Sequence, residues 1–257
     1  MRNILTIASR EVRSLFVSPL AYVITIFFTF IMGWFFVGLV AAYSDYSMRA
    51  SMSQAAAQFS VDDIIIRNFY STLGVIMIFV APILSMRVLA EERRLRTAEM
   101  ILTAPVSTMQ LVLGKYLGLM FFLGFILGLT LVYPIYLVFA GVAPEPGPLI
   151  AAYTGAFLMV GAFLGIGLFS SSLTSNQIVA AVVGFIICLF FWIVGFMGDI
   201  GGAAENLGPF LKSLSIAEHY NDFLKGVIET RSVVFYVTFI GFGLFLTGRV
   251  VDSMRWR

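Results

Sequence analysis

The chain has 257 residues, of which 60% are hydrophobic and 12% are charged, and it carries a net charge of +2. Soluble domains are roughly 45–50% apolar and about 25% charged, so this composition excludes an ordinary soluble domain. Several apolar runs reach about twenty residues, which is the length that crosses a bilayer as a helix, and a helix satisfies its own backbone hydrogen bonds in lipid. We therefore predict an all-α integral membrane protein that forms a single transmembrane domain.

The first predicted element is an amphipathic helix over residues 2–17. Its apolar residues recur at helical spacing, while Arg2, Arg10 and Arg13 fall on the opposite face. A basic amphipathic helix of this kind is expected to lie in the membrane interface. Pro19 then marks the turn into the first span.

Six apolar stretches predict six transmembrane helices, with both termini on the same side of the membrane. The spans are expected at about residues 20–42, 68–89, 110–140, 149–170, 178–198 and 232–249. Of the 16 lysine and arginine residues, all but five fall in segments on the side of the termini; the five are Arg49, Arg67, Lys212, Lys225 and Arg231. This asymmetry is typical of cytoplasmic segments, so we expect both termini in the cytoplasm.

The segment at residues 90–108, between the second and third spans, lies in the most highly charged part of the chain, and seven charged residues fall between Arg87 and Glu99. One arginine at the centre of a bilayer costs roughly 2.5–3.5 kcal/mol even on the mildest scale, so this segment must lie outside the hydrocarbon. From Arg94 to Leu102, charged and apolar positions alternate as in a short amphipathic helix that Pro105 ends. We interpret the segment as a docking element for a soluble motor protein.

Residues 199–231 form a longer stretch on the other side and contain the only histidine, His219. One face of this stretch is apolar, which favours two short re-entrant or interfacial helices at the outer surface. A solvated loop is the alternative.

The chain lacks the motifs of several enzyme classes. There is no Gly-rich loop for nucleotide phosphates and no cysteine–histidine cluster for a metal, and the basic residues lie beside the apolar runs, which argues against nucleic acid. Residues 91–96 fit the E-E-x-x-x-R signature of intramembrane proteases that process prenylated proteins. Those enzymes also need histidines on neighbouring helices, whereas His219 is predicted on the opposite side. An intramembrane protease is therefore the weaker alternative.

The predicted spans contain almost no ionisable side chains. Ion-coupled carriers usually keep such groups at mid-membrane as relay residues, so this composition argues against a secondary transporter. Energy must then come from outside the chain.

Two segments carry a resemblance to a known family. EERRLRTAEMILTAPVSTMQLVLGKY at 91–116 is similar to the loop between the second and third spans of type-2 ABC exporter permeases, and SIAEHYNDFLKGVIETRSVVFY at 215–236 resembles the region that leads into their last span. The closest group is that of the gliding-motility-type permeases, which are related to the copper-enzyme maturation permeases. In this family the first loop carries a cytoplasmic coupling helix that docks into the ATPase subunit.

The resemblance implies the type-2 ABC exporter permease fold in a bacterial cytoplasmic (inner) membrane. It implies two copies of an ABC ATPase subunit, which would hold ATP and Mg, and no cofactor in this chain. A second permease copy or a related permease chain would complete a dimer, and an extracytoplasmic auxiliary protein is a further candidate partner.

By the same resemblance, the residues of the 90–108 loop take the ATPase-coupling role. Polar residues in span two and near the inner end of span five are candidates for lining a pathway between the two permeases. The coupling set is Glu91, Glu92, Arg93, Arg94, Arg96, Glu99, Met100 and Leu102. The pathway set is Asn68, Ser71, Thr72, Ser171, Thr174, Asn176 and Gln177.

The expected function is thus a permease subunit that couples ATP hydrolysis in a separate chain to export of an unidentified, amphipathic substrate or to mechanical work in the envelope. A non-transporting membrane scaffold is the alternative from another class. If the loop is a docking element, reversing the charge of Glu92 and Arg94 should uncouple hydrolysis from transport and leave folding intact.

Overall fold

The computed structural model describes residues 2–53, 61–95, 107–198 and 207–254. These residues form α-helices and one π-helical turn, Asp62–Ile66, and contain no strand. The helices are α1 (Arg2–Val17), α2 (Pro19–Ser53), α3 (Arg67–Arg94), α4 (Thr108–Leu129), α5 (Val132–Phe139), α6 (Pro146–Leu173), α7 (Gln177–Met197), α8 (Gly208–Ser213), α9 (Ile216–Leu224) and α10 (Thr230–Met254).

Within the described ranges, six helical segments are long and apolar enough to cross a membrane. They are Pro19–Arg49, Asp62–Arg94, Thr108–Phe139, Pro146–Leu173, Gln177–Met197 and Thr230–Ser253. The prediction of an all-α membrane protein with six spans is confirmed.

The six span segments alternate in direction between two ends of the bundle. We call the end where α3 ends and α4 begins the loop end, and the opposite end the far end. Thr108, at the start of α4, hydrogen-bonds to Asp252 near the end of α10, and Lys115 of α4 pairs with Glu11 of α1. The N-terminal and C-terminal helices therefore meet at the loop end.

The centre of the bundle is formed by α3 and α6. In the most apolar window of each, 67% of the residues are buried, against 17% in α2. Apolar burial gives little drive for helix association in lipid, so close approach at small residues must hold these helices together. Gly167 of α6 provides one such place, because a Cβ there would clash with the hydroxyl oxygen of Ser85 on α3.

Two helices differ from the predicted spans. The first span was expected to end at about residue 42, but α2 continues to Ser53 and is about 52 Å long. No glycine or proline follows Gly38 in this helix to end it. The third span, expected as one run over 110–140, is divided at Thr130 and Leu131. Pro134 explains the break, since a proline ring clashes with the carbonyl four residues earlier and offers no N–H to it.

The far-end helix α9 is built into the bundle, so it is not a solvated loop. Ile216, Tyr220 and Phe223 are buried, and the Tyr220 hydroxyl donates to the carbonyl of Tyr70 at 3.0 Å. Gly155 of α6 admits Phe223, whose Cβ would stand 2.5 Å from a Cβ at that position.

The amphipathic helix α1 lies along α4, and its apolar face packs against protein. Ile7 contacts Gly114, and Glu11 contacts Gly118. The Phe16 ring packs edge-to-face against that of Phe122, with 5.2 Å between the ring centroids. These two glycines are four residues apart, the spacing that lets two helices approach closely. Much of the apolar face of α1 therefore packs on α4, whereas Leu5 on that face stays exposed. The position of α1 in the membrane interface stays a prediction.

The α1–α4 contact predicts an asymmetric response to alanine in α4. A Cβ at Gly118 would lie 2.7 Å from Cβ of Glu11, whereas nothing lies within 4 Å of one at Gly128. Overpacking costs about 1–3 kcal/mol, against a gain of up to about 1 kcal/mol in helix propensity. We expect Gly118→Ala to lower the melting temperature in detergent and Gly128→Ala not to lower it. Equal effects would rule out this packing.

Candidate functional site at the base of the charged loop

The loop that the sequence singles out begins at the last turn of α3. The amide of Leu95 donates to the carbonyl of Glu91 at 2.9 Å, and Arg93 and Arg94 place positive charge near the carbonyl end of the helix dipole. In this turn Glu91 and Arg94 are exposed, while Glu92 and Arg93 are half-buried. The remaining predicted coupling residues, Arg96, Glu99, Met100 and Leu102, lie outside the described residues.

Beneath this turn lies a buried lysine that the sequence analysis did not single out. Lys115 is 3% exposed, and its ammonium lies 2.7 Å from a carboxylate oxygen of Glu92, 3.5 Å from one of Glu11 and 3.0 Å from the carbonyl of Val88. An ammonium has three donors, and here three oxygens receive them. Lys115 thus joins the loop-bearing turn of α3 to α1 and α4.

One signal in the sequence could have revealed this lysine. Glu11 lies on the otherwise apolar face of α1, between Ile7 and Leu15 at helical spacing. A carboxylate in such a position needs a cationic partner, because an unpaired charge is expensive to bury.

Two arginines near the C-terminal end of α3 bond this helix to further parts of the bundle. Arg87 donates to the hydroxyl of Ser18, in the short junction between α1 and α2, and Arg93 donates to the carbonyl of Ser172 near the end of α6. The base of the loop is therefore bonded to α1, to the α1–α2 junction, to α4 and to α6.

The other end of the loop is also anchored. Ser107 caps α4 by accepting from the amide of Gln110 at 3.3 Å, and the Gln110 side chain accepts from the amide of Ser107 at 3.4 Å. This reciprocal capping box fixes the start of α4. Any displacement of the intervening loop therefore acts on two defined helix ends.

The predicted pathway residues fall into three separate places. Asn68 and Thr72 hydrogen-bond to carbonyls of their own helical segment, and Ser71 lies beside them half-buried at the far end. Ser171 is fully buried and bonds to α3.

The third place is the start of α7. Asn176 caps this helix by accepting from the amide of Ile178 at 3.0 Å, Thr174 accepts from the amide of Asn176 at 3.1 Å, and Gln177 is the first residue of the helix. The structure thus gives several of these side chains local structural partners, and their place in a pathway stays a prediction.

A separate apolar groove of about 730 Å³ opens between α2 and α5. Its walls include Gly33 and Trp34 of α2 and Tyr133 and Tyr136 of α5. The Tyr133 hydroxyl donates to the carbonyl of Thr29 at 3.1 Å, which ties the two walls together. None of the predicted pathway residues lines this groove.

The geometry argues against the protease alternative. His219 lies on α9, next to Tyr220, which bonds to the Tyr70 carbonyl. Tyr70 and Glu92 are separated by 22 residues of one continuous helix, or about 33 Å. The only histidine therefore cannot share a water molecule with the carboxylates of the charged loop.

His219 instead belongs to a buried polar chain at the far end. Its Nε2 lies 3.2 Å from the carbonyl of Ser213, and its Nδ1 lies 3.0 Å from the hydroxyl oxygen of Ser232. That hydroxyl also lies 3.0 Å from a carboxylate oxygen of Asp222, so in the neutral ring its one hydrogen is donated either to Nδ1 or to Asp222. The ring stacks on Phe235. Because a carbonyl only accepts, Nε2 carries a proton.

Burial lowers the pKa of His219, and the nearby Arg231 acts in the same direction. The Ser213 carbonyl, Asp222 and Glu218 offset part of this effect. The folded protein therefore favours the neutral imidazole.

This shift predicts a loss of stability in acid. Below about pH 6.5 the unfolded chain takes up a proton that folded His219 resists, so the free energy of unfolding falls as pH falls; above it this group contributes nothing. We expect the melting temperature to decline more steeply from pH 7.5 to 5.5 in the wild type than in His219→Gln. If the melting temperature declined equally with pH in both proteins, His219 would not be the group responsible. Carboxylates titrate in both proteins, so their effect drops out of the comparison.

The buried ion pair predicts that Glu92 is needed for folding, in contrast to the expectation from the sequence that its reversal leaves the fold intact. Glu92→Lys puts a second cation against buried Lys115, and breaking a buried pair costs about 3–5 kcal/mol. Arg94→Glu reverses an exposed charge and should stay within about 0.5 kcal/mol of the wild type.

Thermal unfolding in detergent measures both variants. In a Glu11→Gln background, which removes the second carboxylate from this position, the exchange Glu92→Lys/Lys115→Glu restores opposite charges and should recover part of the loss. If Glu92→Lys had the same melting temperature as Arg94→Glu, the ion pair between Glu92 and Lys115 would not contribute to the stability of the fold.

Six apolar helical spans, with a charged loop held at one end of the bundle, define a multi-pass membrane protein. The described residues include no cluster of three or more His, Cys, Asp or Glu side chains that could hold a metal. The family described as ABC-2 family transporter protein matches residues 5–247, so the chain belongs to this family of transport components. The family match confirms the type-2 ABC permease resemblance. A search of curated proteins finds no match to the sequence.

Proposed function

We propose that the chain is the permease subunit of an ABC exporter and that its 90–108 loop receives the movement of a separate ATPase. Membership of the ABC-2 family implies an ABC ATPase partner. The observation that carries the proposal is the set of bonds at the base of the loop. Glu92 reaches Lys115 and through it Glu11, while Arg93 reaches α6.

This arrangement suits the transfer of force. A loop joined to the bundle only by its two covalent connections could swing without moving the other helices. Here a push on the last turn of α3 also acts on α1, α4 and α6, because the contacts are charge-assisted or reach buried backbone groups. Movement of the loop is thereby spread over half of the bundle.

The complete assembly in this proposal contains two ATPase copies, which hold ATP and Mg, and two permeases, as identical or related chains. It lies in a bacterial inner membrane with the loop end and both termini in the cytoplasm, and belongs to the gliding-motility-type group. An extracytoplasmic auxiliary protein would meet the far end. Large apolar side chains exposed along α3 and α7, such as Val75, Phe79, Val182 and Ile186, suit a second permease.

The cargo in this proposal is an amphipathic molecule, because the described spans offer mainly apolar and uncharged surfaces. Asn68, Ser71, Thr72, Thr174, Asn176 and Gln177 remain candidates for its pathway, together with Ser171 if the bond to α3 opens. Mechanical work without cargo would give ATP turnover that responds only to a protein partner.

Purification from the native membrane in mild detergent tests the proposal. We expect an ABC ATPase to co-purify in stoichiometric amount and to be lost in Arg94→Glu, which changes an exposed charge beside the loop. Lys225→Glu is the matched control, since Lys225 is exposed at the far end. Recovery of the folded chain without any ATPase would refute the proposal.

A further inference from the structure

Three consecutive serines near the end of α6 have the same burial but different partners. Ser170, Ser171 and Ser172 are at most 1% exposed. The hydroxyls of Ser170 and Ser172 donate to carbonyls of their own helix, at 2.9 Å to Gly167 and 2.6 Å to Phe169. Only the hydroxyl of Ser171 leaves the helix.

The Ser171 hydroxyl enters a turn of α3. It donates to the carbonyl of Met86 at 2.8 Å and accepts from the amides of Leu89 and Ala90 at 3.1 and 3.0 Å. Met86 and Ala90 are the carbonyl and amide that an α-helix joins directly. A side chain inserted between such groups is a recognised cause of helix bending.

The part of α3 before this turn is fixed to its neighbours. Ser85 is packed against Gly167 of α6, and Pro82 stands 3.3 Å from where a Cβ at Gly184 of α7 would lie. A side chain at Gly167 would clash with Ser85, and one at Gly184 would be in tight contact with Pro82. Up to Ser85, α3 is therefore closely packed against α6 and α7.

The part after the turn carries the charged loop. It contains Glu92 and Arg93, whose side chains reach α4 and the end of α6. Ser171 thus engages the turn between the clamped part of α3, whose backbone packs at glycines, and the loop-bearing part, which is held by the side chains of Glu92 and Arg93.

The hydrogen-bonding groups of this turn have two arrangements. With the hydroxyl inserted, the Leu89 and Ala90 amides donate to Ser171, and Ser171 donates to the Met86 carbonyl. With the hydroxyl withdrawn, these amides can donate to the carbonyls of Ser85 and Met86 as in a regular helix, and Ser171 would donate to a carbonyl one turn back in α6, as its two neighbours do. Each arrangement has three hydrogen bonds, and only the inserted one leaves the Ser85 carbonyl without its helical donor, so the two can be close in energy.

We propose that Ser171 is a positioning residue whose hydroxyl forms a hinge in α3, at which the loop-bearing end of the helix turns relative to the bundle. This role rests on the proposed function of the loop. It differs from the predicted role in lining a pathway, because a buried hydroxyl bonded to backbone faces no cargo.

Spin-label distances test the hinge in a Cys188→Ser background, which removes the single native thiol. One pair of labels spans the hinge, at Leu95→Cys and Arg249→Cys, and a second pair, Val75→Cys with Arg249→Cys, lies on its clamped side. All three positions are exposed. In lipid nanodiscs without ATPase, we expect Ser171→Ala to narrow the distance distribution of the first pair only, because one arrangement is removed.

With the co-purifying ATPase, ATP and Mg should shift the distance of the first pair and leave that of the second unchanged. We expect the shift to be lost in Ser171→Ala and retained in Ser172→Ala and Ser170→Ala, which remove equally buried hydroxyls with no bond to α3. Ser171→Thr, which keeps the hydroxyl, should retain the shift. A merely stabilising serine would lower the melting temperature without abolishing the response to ATP.

The outcomes separate the two proposals. Absence of a bound ATPase refutes the proposed function, whereas an ATP-dependent shift that persists in Ser171→Ala refutes the hinge alone. If Ser171→Ala does not fold, hydrogen exchange in the wild type decides. Faster exchange at Leu89 and Ala90 than at the residues on both sides supports a switching turn, and uniformly slow exchange refutes it.

Discussion

The buried ammonium of Lys115 is the interaction on which the loop end of this protein depends. Removing an ammonium from water costs several kcal/mol, and only close, well-placed oxygens compensate for that loss. Two of those oxygens come from Glu92 and Glu11, which are far apart in the chain, and the third from the backbone of Val88. Because the ammonium is stable only beside these oxygens, the contacts hold α1, α3 and α4 in a single arrangement beside the charged loop.

Small residues make this electrostatic arrangement possible in a membrane. Lipid offers little hydrophobic drive between helices, so packing distance decides which helices associate. Gly114 and Gly118 flank Lys115 and bring α1 against α4, while Gly167 brings α6 against Ser85 of α3. The glycines set the distances, and the polar contacts act across them. The loop is therefore attached to a rigid core, and a shift of its base has consequences in several helices.

Several features were predictable because they depend on short stretches of sequence. The apolar runs predicted six spans, and the charges from Arg87 to Glu99 placed a loop outside the hydrocarbon. Other features depend on residues that meet only after folding. Ser171 was expected to line a pathway from its polarity and the family resemblance, yet it bonds to a turn of α3 that lies more than 80 residues earlier. Lys115 entered only the count of basic residues on the side of the termini, because its partners lie on two other helices.

By itself, the sequence determined that this is a helical membrane protein, how many spans it has and where its charged loop lies. The hydropathy and length of an apolar run and the cost of a charge in lipid depend on neighbouring residues, so they can be judged from the sequence alone. The tertiary structure decided which helices are bonded to the base of that loop and which polar side chains have hydrogen-bond partners inside the bundle. Those answers depend on distances between distant residues, which follow from close packing at particular glycines and from the pairing of buried charges.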